Sequence, residues 1–591
     1  MMRRKQPRAY NIYKCYILML FGLSSVGGTG QLHAQTLSMQ TISNISKSDP
    51  LIITGAVGTS NHYYHSTGYQ YASPFASSAW ASLNISLYGI SMPVALYYSN
   101  SEFNFNYPHI AFNLNPSYKN WQGYIGQSTM QFSNYIMNMS FNGFGVEYKG
   151  QKGVRFGAFY GLLRKAVNDD PESLDARLPQ YRRTAWGFKV GYGSGANSID
   201  LYVMRAWDSE SSVSEFWRSY ISPEENLLVG LRGTTRLTKW FGLSANVATS
   251  LFTTDTRSQS VESPKLERWD KIFDAKYTSS MHFAGDVSAN FSFKGFNSSV
   301  YYKMVQPDYK SMGATYMSNN YQSLGISMTA HLLRKISLGG NFSLQSDNLS
   351  GEQLYTNRGF VYSASAATRL GQVSLSARYS GYMQCQYDGT ATVNDSTRVH
   401  RIMHSLGGSA SYSWQRGDML THTLTFSGGY NQNKDLNKYA TGQSDVKTIS
   451  GAGTYTMRVE PWDTDFSGTL NHQQSIGYDR KYTSDILSLT VLRTFFEENQ
   501  LHLSATLNVC YNRLEKMREN MSLGGDMQVG WTLKKVHTFS LNGGIARSND
   551  VNITDNESMY NVTEVNVGFN YTYTFSLLEL KRKAKENGNR K

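Results

Sequence analysis

The stretch VNVGFNYTYTF, residues 565–575, alternates without a break. Val565, Val567, Phe569, Tyr571, Tyr573 and Phe575 occupy one set of positions, and Asn566, Gly568, Asn570, Thr572 and Thr574 the other. Successive side chains of a strand point to opposite faces, so this segment carries one apolar, aromatic face and one small, polar face. The period recurs in MHFAGDVSANFSF (281–293), LTHTLTFSGGYN (420–431) and LHLSATLNVCYN (501–512), while helical periodicity is hard to find anywhere.

Length and polarity choose the setting of these strands. The alternating segments run to about 10–14 residues, longer than the ~5–6 of globular strands and long enough for the ~9–11 that cross a bilayer. The polar face is Ser, Thr, Asn and Gly with sparse charge, whereas the outer face of a soluble sandwich would be charged. A wet lumen and a lipid exterior account for both faces, and backbone in lipid must be fully paired, so the sheet has to close on itself. Eleven short turns, from LYGISMP near residue 88 to LKKVH near residue 535, are separated by longer polar connections such as 163–181, 208–224, 252–279, 386–398 and 433–445. Short and long connections alternate when one barrel end faces the periplasm and the other the exterior. Beside the short turns stand Tyr88, Tyr148, Tyr192, Trp240, Trp414, Trp462, Phe496 and Trp531, which read as an aromatic girdle at headgroup level. The expected fold is all-β: a single large antiparallel transmembrane β-barrel of about 24 strands, within about 22–26, spanning 51–575 with no separate plug domain.

One region resists the count. In FNYPHIAFNLNPSYKNWQGYIGQSTMQFSNYIMNMS, residues 105–140, the alternation is weak. It either forms an ordinary hairpin with an outer loop or folds inward and constricts the lumen, with Tyr118, Lys119 and Trp121 as constriction candidates. The physical motive for the second is that a lumen wider than that of a 22-stranded, plugged transporter would breach a permeability barrier if left open.

The chain ends explain compartment and charge. MMRRKQPRAYNIYK followed by YILMLFGL and GTGQLHA has the pattern of a secretory signal peptide over 1–34, its apolar core too short for a retained membrane helix. Residues 35–50 are then a short periplasmic segment, and 576–591 a basic periplasmic tail with six bases from 581 onward. The formal charge of +13 is concentrated in these two ends, leaving the body near neutral and excluding a basic nucleic-acid face. Cys385 and Cys510 do not make a disulfide framework and read as unpaired thiols.

WASLNISLYGISMPVALYYS (80–99), NPSYKNWQGYIG (115–126) and GFGVEYKGQKGVRFGAFYG (143–161) resemble a group of outer-membrane β-barrel proteins of Bacteroidota. In that group a strand pair with a Pro-containing turn precedes a Ser-Pro-x-Tyr-Lys-like motif and then a Gly-rich Arg-Phe-Gly hairpin. Pro116, Ser117, Tyr118, Lys119 and Trp121 hold the first motif here, with Asn115-Pro116 in place of Ser-Pro; Arg155, Phe156, Gly157, Tyr160 and Gly161 hold the second. The resemblance implies outer-membrane location in a Gram-negative bacterium and a large barrel. It brings no catalytic residue, cofactor or substrate.

Chemistry-bearing residues are sparse. His62 and His65 in HYYH face opposite sides of a strand, which suits an exposed patch better than a metal site. Arg155, Lys189, His282, Asp286, Asn290 and His502 read as lumen-facing. A membrane hydrolase needs a nucleophile beside a base at one depth, and His282 with Asp286, or His502 with Ser504, reads instead as polar wall. No enzyme, cofactor or metal is expected. The functions that fit are a channel or conduit, or an accessory barrel of an outer-membrane complex. The alternative is a receptor or TonB-dependent-like transporter plugged by a separate partner, since only sixteen residues lie between signal and first strand. Expected partners are outer-membrane lipid and lipopolysaccharide and an outer-membrane or periplasmic protein.

Overall fold

In the computed structural model, residues 51–580 are described apart from 69–73, 89, 101–109, 151–152, 170–176, 262–272, 333–334, 497–499, 516 and 552–558. The expected signal peptide, the segment 35–50 and the basic run from 581 lie outside the described residues.

One antiparallel sheet holds 27 strand segments. The first, Leu51–Ser66, pairs with the second, Phe75–Leu87, on one side and with the last, Met559–Leu580, on the other, so the sheet closes. Two segments are halves of one stave. Ile110–Leu114 and Ser117–Tyr118 both lie between Ile90–Ser99 and Trp121–Ser128, interrupted at Asn115 and Pro116. Proline has no N–H to give a ladder, which is why the stave breaks there. The barrel therefore has 26 staves, two more than the expected count and at the upper edge of its range. The even number brings the first and last strands back to the same end.

The alternation seen in the sequence becomes two surfaces. Phe283, Val287, Leu470 and Leu507 project outward, exposed by 43% to 59%. The residues between them project inward, and facing hydroxyls bond across the ladder, as in Ser244–Ser288 at 2.6 Å and Thr490–Thr506 at 3.0 Å. The strand ends that flank the eleven short turns lie at one end, together with Leu51 and Leu580. Gly195 and Gly371, with φ of 61° and 64°, close two of the tightest, a backbone region that costs a residue with a Cβ. Each of the eight aromatics expected to form a girdle stands in or beside one of these turns, and Trp240 stacks on Phe293 with ring centroids 5.7 Å apart.

Three features depart from the sequence reading. The last strand continues past Phe575 to Leu580, pairing Thr54 with Ser576 and Leu51 with Leu580 across a bulge at Leu577; the boundary expected at 575 moves five residues on. Tyr118, Lys119 and Trp121 are not at a constriction. They form a hairpin turn at the short-turn end, where Lys119 takes φ 53° and Trp121 packs outward against Tyr148 at 4.9 Å and Phe156 at 5.4 Å. Finally, of the described residues in 105–140, 110–128 form wall and 129–140 leave it.

Candidate functional site in the barrel lumen

The hydrophobic core lies inside the barrel and to one side. After Ser128 the sequence TMQFSNYIMNMS loses period two, and a turn forms in which the N–H groups of Ile136 and Met137 donate to the Ser133 carbonyl at 2.9 and 3.0 Å. Met130, Phe132, Tyr135, Ile136 and Met137 are buried in one cluster with Phe141, Phe159, Tyr202, Met204, Leu228, Phe252 and Val305, which project inward from the wall. Burying each large apolar side chain stabilises by about 1.5–3 kcal/mol as an upper estimate. The wall makes room with small residues. A Cβ on Gly230 would stand 2.6 Å from Ile136 Cδ1, and one on Gly187 would stand 3.0 Å from the Phe132 ring.

A second segment, 306–320, completes this inner body. Tyr309 OH donates to the Tyr135 carbonyl at 2.9 Å, Ser311 Oγ to the Ile136 carbonyl at 2.5 Å, and Asn138 N to the Gly313 carbonyl at 3.1 Å. Polar latches tie both segments to inward side chains of the wall. Tyr135 OH donates to Asp286 Oδ1 and Ser133 Oγ to Asn246 Oδ1, both at 2.8 Å. Fully buried Asn226 accepts from Met312 N at 3.1 Å while donating to Ser250 Oγ at 2.8 Å and the Leu251 carbonyl at 2.9 Å. Burial first, then the Asp286 carboxylate, pushes the Tyr135 phenol well above its ordinary value, and burial does the same to Tyr309. Both therefore stay protonated donors.

The sequence-predicted residues divide accordingly. Lys189 donates to the Gln131 carbonyl at 2.8 Å and pairs with Glu147 at 2.9 Å, and Asp286 receives Tyr135; these two meet the inner body. Arg155 is held on the wall by Asp200 at 2.9 Å. His282 stays in the ladder opposite Ser250, Asn290 bonds Ser288 and Ser299, and His502 bonds Thr494 at 2.9 Å. The last three are not brought together. His62 and His65 stand opposite Gly568 and Val565, and no group of three His, Cys, Asp or Glu with metal-binding spacing occurs among the described residues. Ser133, Tyr135, Asn226, Tyr309 and Ser311 were missed. The available signal was loss of polarity on the inward face: Tyr202, Met204 and Ala206, then Leu228, replace the usual Ser and Thr.

The other side of the lumen differs. Strands from Ile336–Asp347 round to Met559–Leu580 turn hydroxyls inward, with bonded pairs Ser376–Ser409 at 2.7 Å and Ser411–Thr425 and Thr454–Thr469 at 3.0 Å. Inward charges on these strands sit at the strand ends, except Arg378, Asp526 and Glu564, which receives Tyr64 OH at 2.9 Å. Asp526 receives Asn508 Nδ2 at 3.2 Å. Arg378 stands in a recess of the wall.

No family model and no curated protein matches the chain, so the resemblance to Bacteroidota barrels rests on the quoted motifs alone. Among solved structures it is similar to the P pilus usher (PapC) translocation pore, at 9% identity and a TM-score of 0.36, over 89% of this chain and 100% of that one. It is similar to the FrpB iron transporter of Neisseria meningitidis at 10% and 0.35, over 90% and 83% of the two chains. Acinetobacter baumannii OccAB2 matches at 10% and 0.29, over 65% and 100%. Likenesses this distant add nothing to the fold, which rests on strand pairing.

Proposed function

We propose that the chain is an integral outer-membrane β-barrel acting as a channel, its conduit running along the hydroxyl-lined half of the lumen. One observation carries this reading: the inner body packs on wall residues from Phe141 to Val305, while on the other side inward Ser376, Arg378, Ser427 and Asp526 stay exposed. The apolar outward face needs lipid, and an inward face of hydroxyls and amides retains water. Barrels of ~16–18 strands already leave an aqueous channel, so a body on one side of a wider barrel narrows the lumen without sealing it. Reconstitution of the full chain into planar bilayers tests this. Discrete conductance steps are expected; protein that inserts as folded barrel and passes no current refutes the channel.

A second reading, an accessory barrel of an envelope complex, is favoured by the protruding closing strand. Its last bond to the preceding hairpin is Thr574 N to the Val536 carbonyl at 2.8 Å, after which Phe575–Leu580 continues. The strand His400–Arg416, by contrast, runs only to Arg416 after Ser413 N bonds the Gln372 carbonyl. An edge left unpaired is a template for a partner strand. Purification in mild detergent tests it: a stoichiometric partner lost on deleting 576–591 supports it, and a partner retained after the deletion refutes this role for the edge.

A further inference from the structure

We propose that the recess around Arg378 is a solute-binding site on the conduit, taking a hydroxylated monoanion of the sugar-acid class; this rests on the channel reading. Four adjacent strands, Ile336–Asp347, Tyr355–Leu370, Val373–Asp388 and His400–Arg416, present small residues inward here. Ser337, Gly339, Ser365, Ser376, Gly407 and Ser409 line a hollow of about 530 Å³, inside the ~300–1,000 Å³ typical of small-molecule sites. A Cβ on Gly339 would stand 2.7 Å from Ser365 Oγ, so any larger residue would begin to fill the space.

Arg378 supplies the charge. The residues directly opposite it are Ser365 on one neighbouring strand and Gly407 on the other, neither of which is an acid. Three other inward cations are neutralised locally, Lys189 by Glu147 and Arg155 by Asp200, each at 2.9 Å, and Arg183 by Asp208 at 2.8 Å, whereas Lys303 lies over the Tyr135 and Tyr321 rings. Among the described residues Arg378 has no carboxylate within ion-pair distance. A guanidinium offers a planar fork of donors that matches a carboxylate, and one guanidinium balances one negative charge. A serine hydroxyl can donate or accept, and the single Ser376–Ser409 bond at 2.7 Å can run in either direction, so the pair can exchange it for bonds to ligand hydroxyls. A carboxylate on Arg378 with hydroxyls on its flanks describes a sugar acid.

Glucuronate is the probe, with glucose as its uncharged counterpart, titrated calorimetrically into the full chain in detergent. Saturable glucuronate binding is expected, at least tenfold weaker in Arg378→Gln, partly restored in Arg378→Lys, and tighter than glucose in the parent. In bilayers glucuronate should interrupt the current of the parent and leave Arg378→Gln uninterrupted. Equal binding in parent and Arg378→Gln, or no binding to the parent, overturns the site. Conductance without glucuronate binding leaves the channel and removes the site; binding without conductance does the reverse.

Discussion

Ile136→Ala is the sharpest probe of the inner body. Ile136 is 0% exposed, its Cδ1 fills the space that a side chain at Gly230 would need, and its carbonyl receives Ser311. Truncation removes the buried side chain and leaves a cavity, which costs about 2–5 kcal/mol. At about 1.4 kcal/mol per tenfold, the ratio of docked to undocked inner body falls between about 30-fold and about 4,000-fold. The wall keeps its ladders, so the melting temperature of the barrel should move little while the lumen opens. Two assays read the two effects separately. Ser133→Cys with Asn246→Cys, placed where the parent side chains meet at 2.8 Å, should form a disulfide in the docked state and lose yield when Ile136→Ala is added. Single-channel conductance should rise, or flicker to a larger level, in Ile136→Ala alone. Unchanged cross-linking and unchanged conductance would refute the idea that apolar packing holds this segment across part of the lumen.

Gly230→Val should act in the same direction by steric conflict with Ile136, and Gly230→Ala more weakly; equal conductance in the two variants and the parent counts against close packing there. Chains ended after Phe575 lose the pairs from Ser576 to Leu580 with Leu51–Thr54 and should melt lower, whereas chains ended after Leu580 should melt like the parent; matching melting temperatures in all three deny the extra strand residues a structural role. The raised phenol of Tyr135 gives a contribution present below the ordinary tyrosine value of about 10 and lost only as pH rises through its higher folded value. Cross-linking at 133 and 246 should therefore be flat from about pH 6 to about 9, and a fall within that window contradicts the assignment. In the long-loop region, the Arg177 side chain and then its backbone N–H hold Asp169 down to about 2. That contact is complete above the unfolded carboxylate value of about 3.9 and is lost as pH falls through about 2, and the Asp169 carbonyl receives Trp217 Nε1 at 2.9 Å. The fluorescence difference between parent and Trp217→Phe should hold down to about pH 3; a transition between about 4 and 5 would sink this coupling.

Alternation and turn residues are local properties, and they carried most of the wall. The strand faces at 281–293, 420–431, 501–512 and 565–575 and the short turns between strands follow from period two and from where Gly, Asn and Lys can turn a chain. Antiparallel closure follows as well, because an apolar exterior in lipid leaves no backbone group unpaired. The count was harder, since Pro116 splits one stave into pieces too short to show a period. The lumen was out of reach for a different reason. Ser133 meets Asn246, Tyr135 meets Asp286 and Ile136 meets Ser311, contacts separated by 113 to 175 residues. Nothing in the local pattern of TMQFSNYIMNMS specifies those partners. Arg378 illustrates the same limit, for a strand pattern shows that it faces inward, and only the register that sets Ser365 and Gly407 opposite it leaves its charge unmatched. By itself the sequence determined which face of each strand meets lipid and which meets water, because that choice is made two residues at a time. What stands inside the water was decided by tertiary structure, where side chains from distant strands converge on one volume.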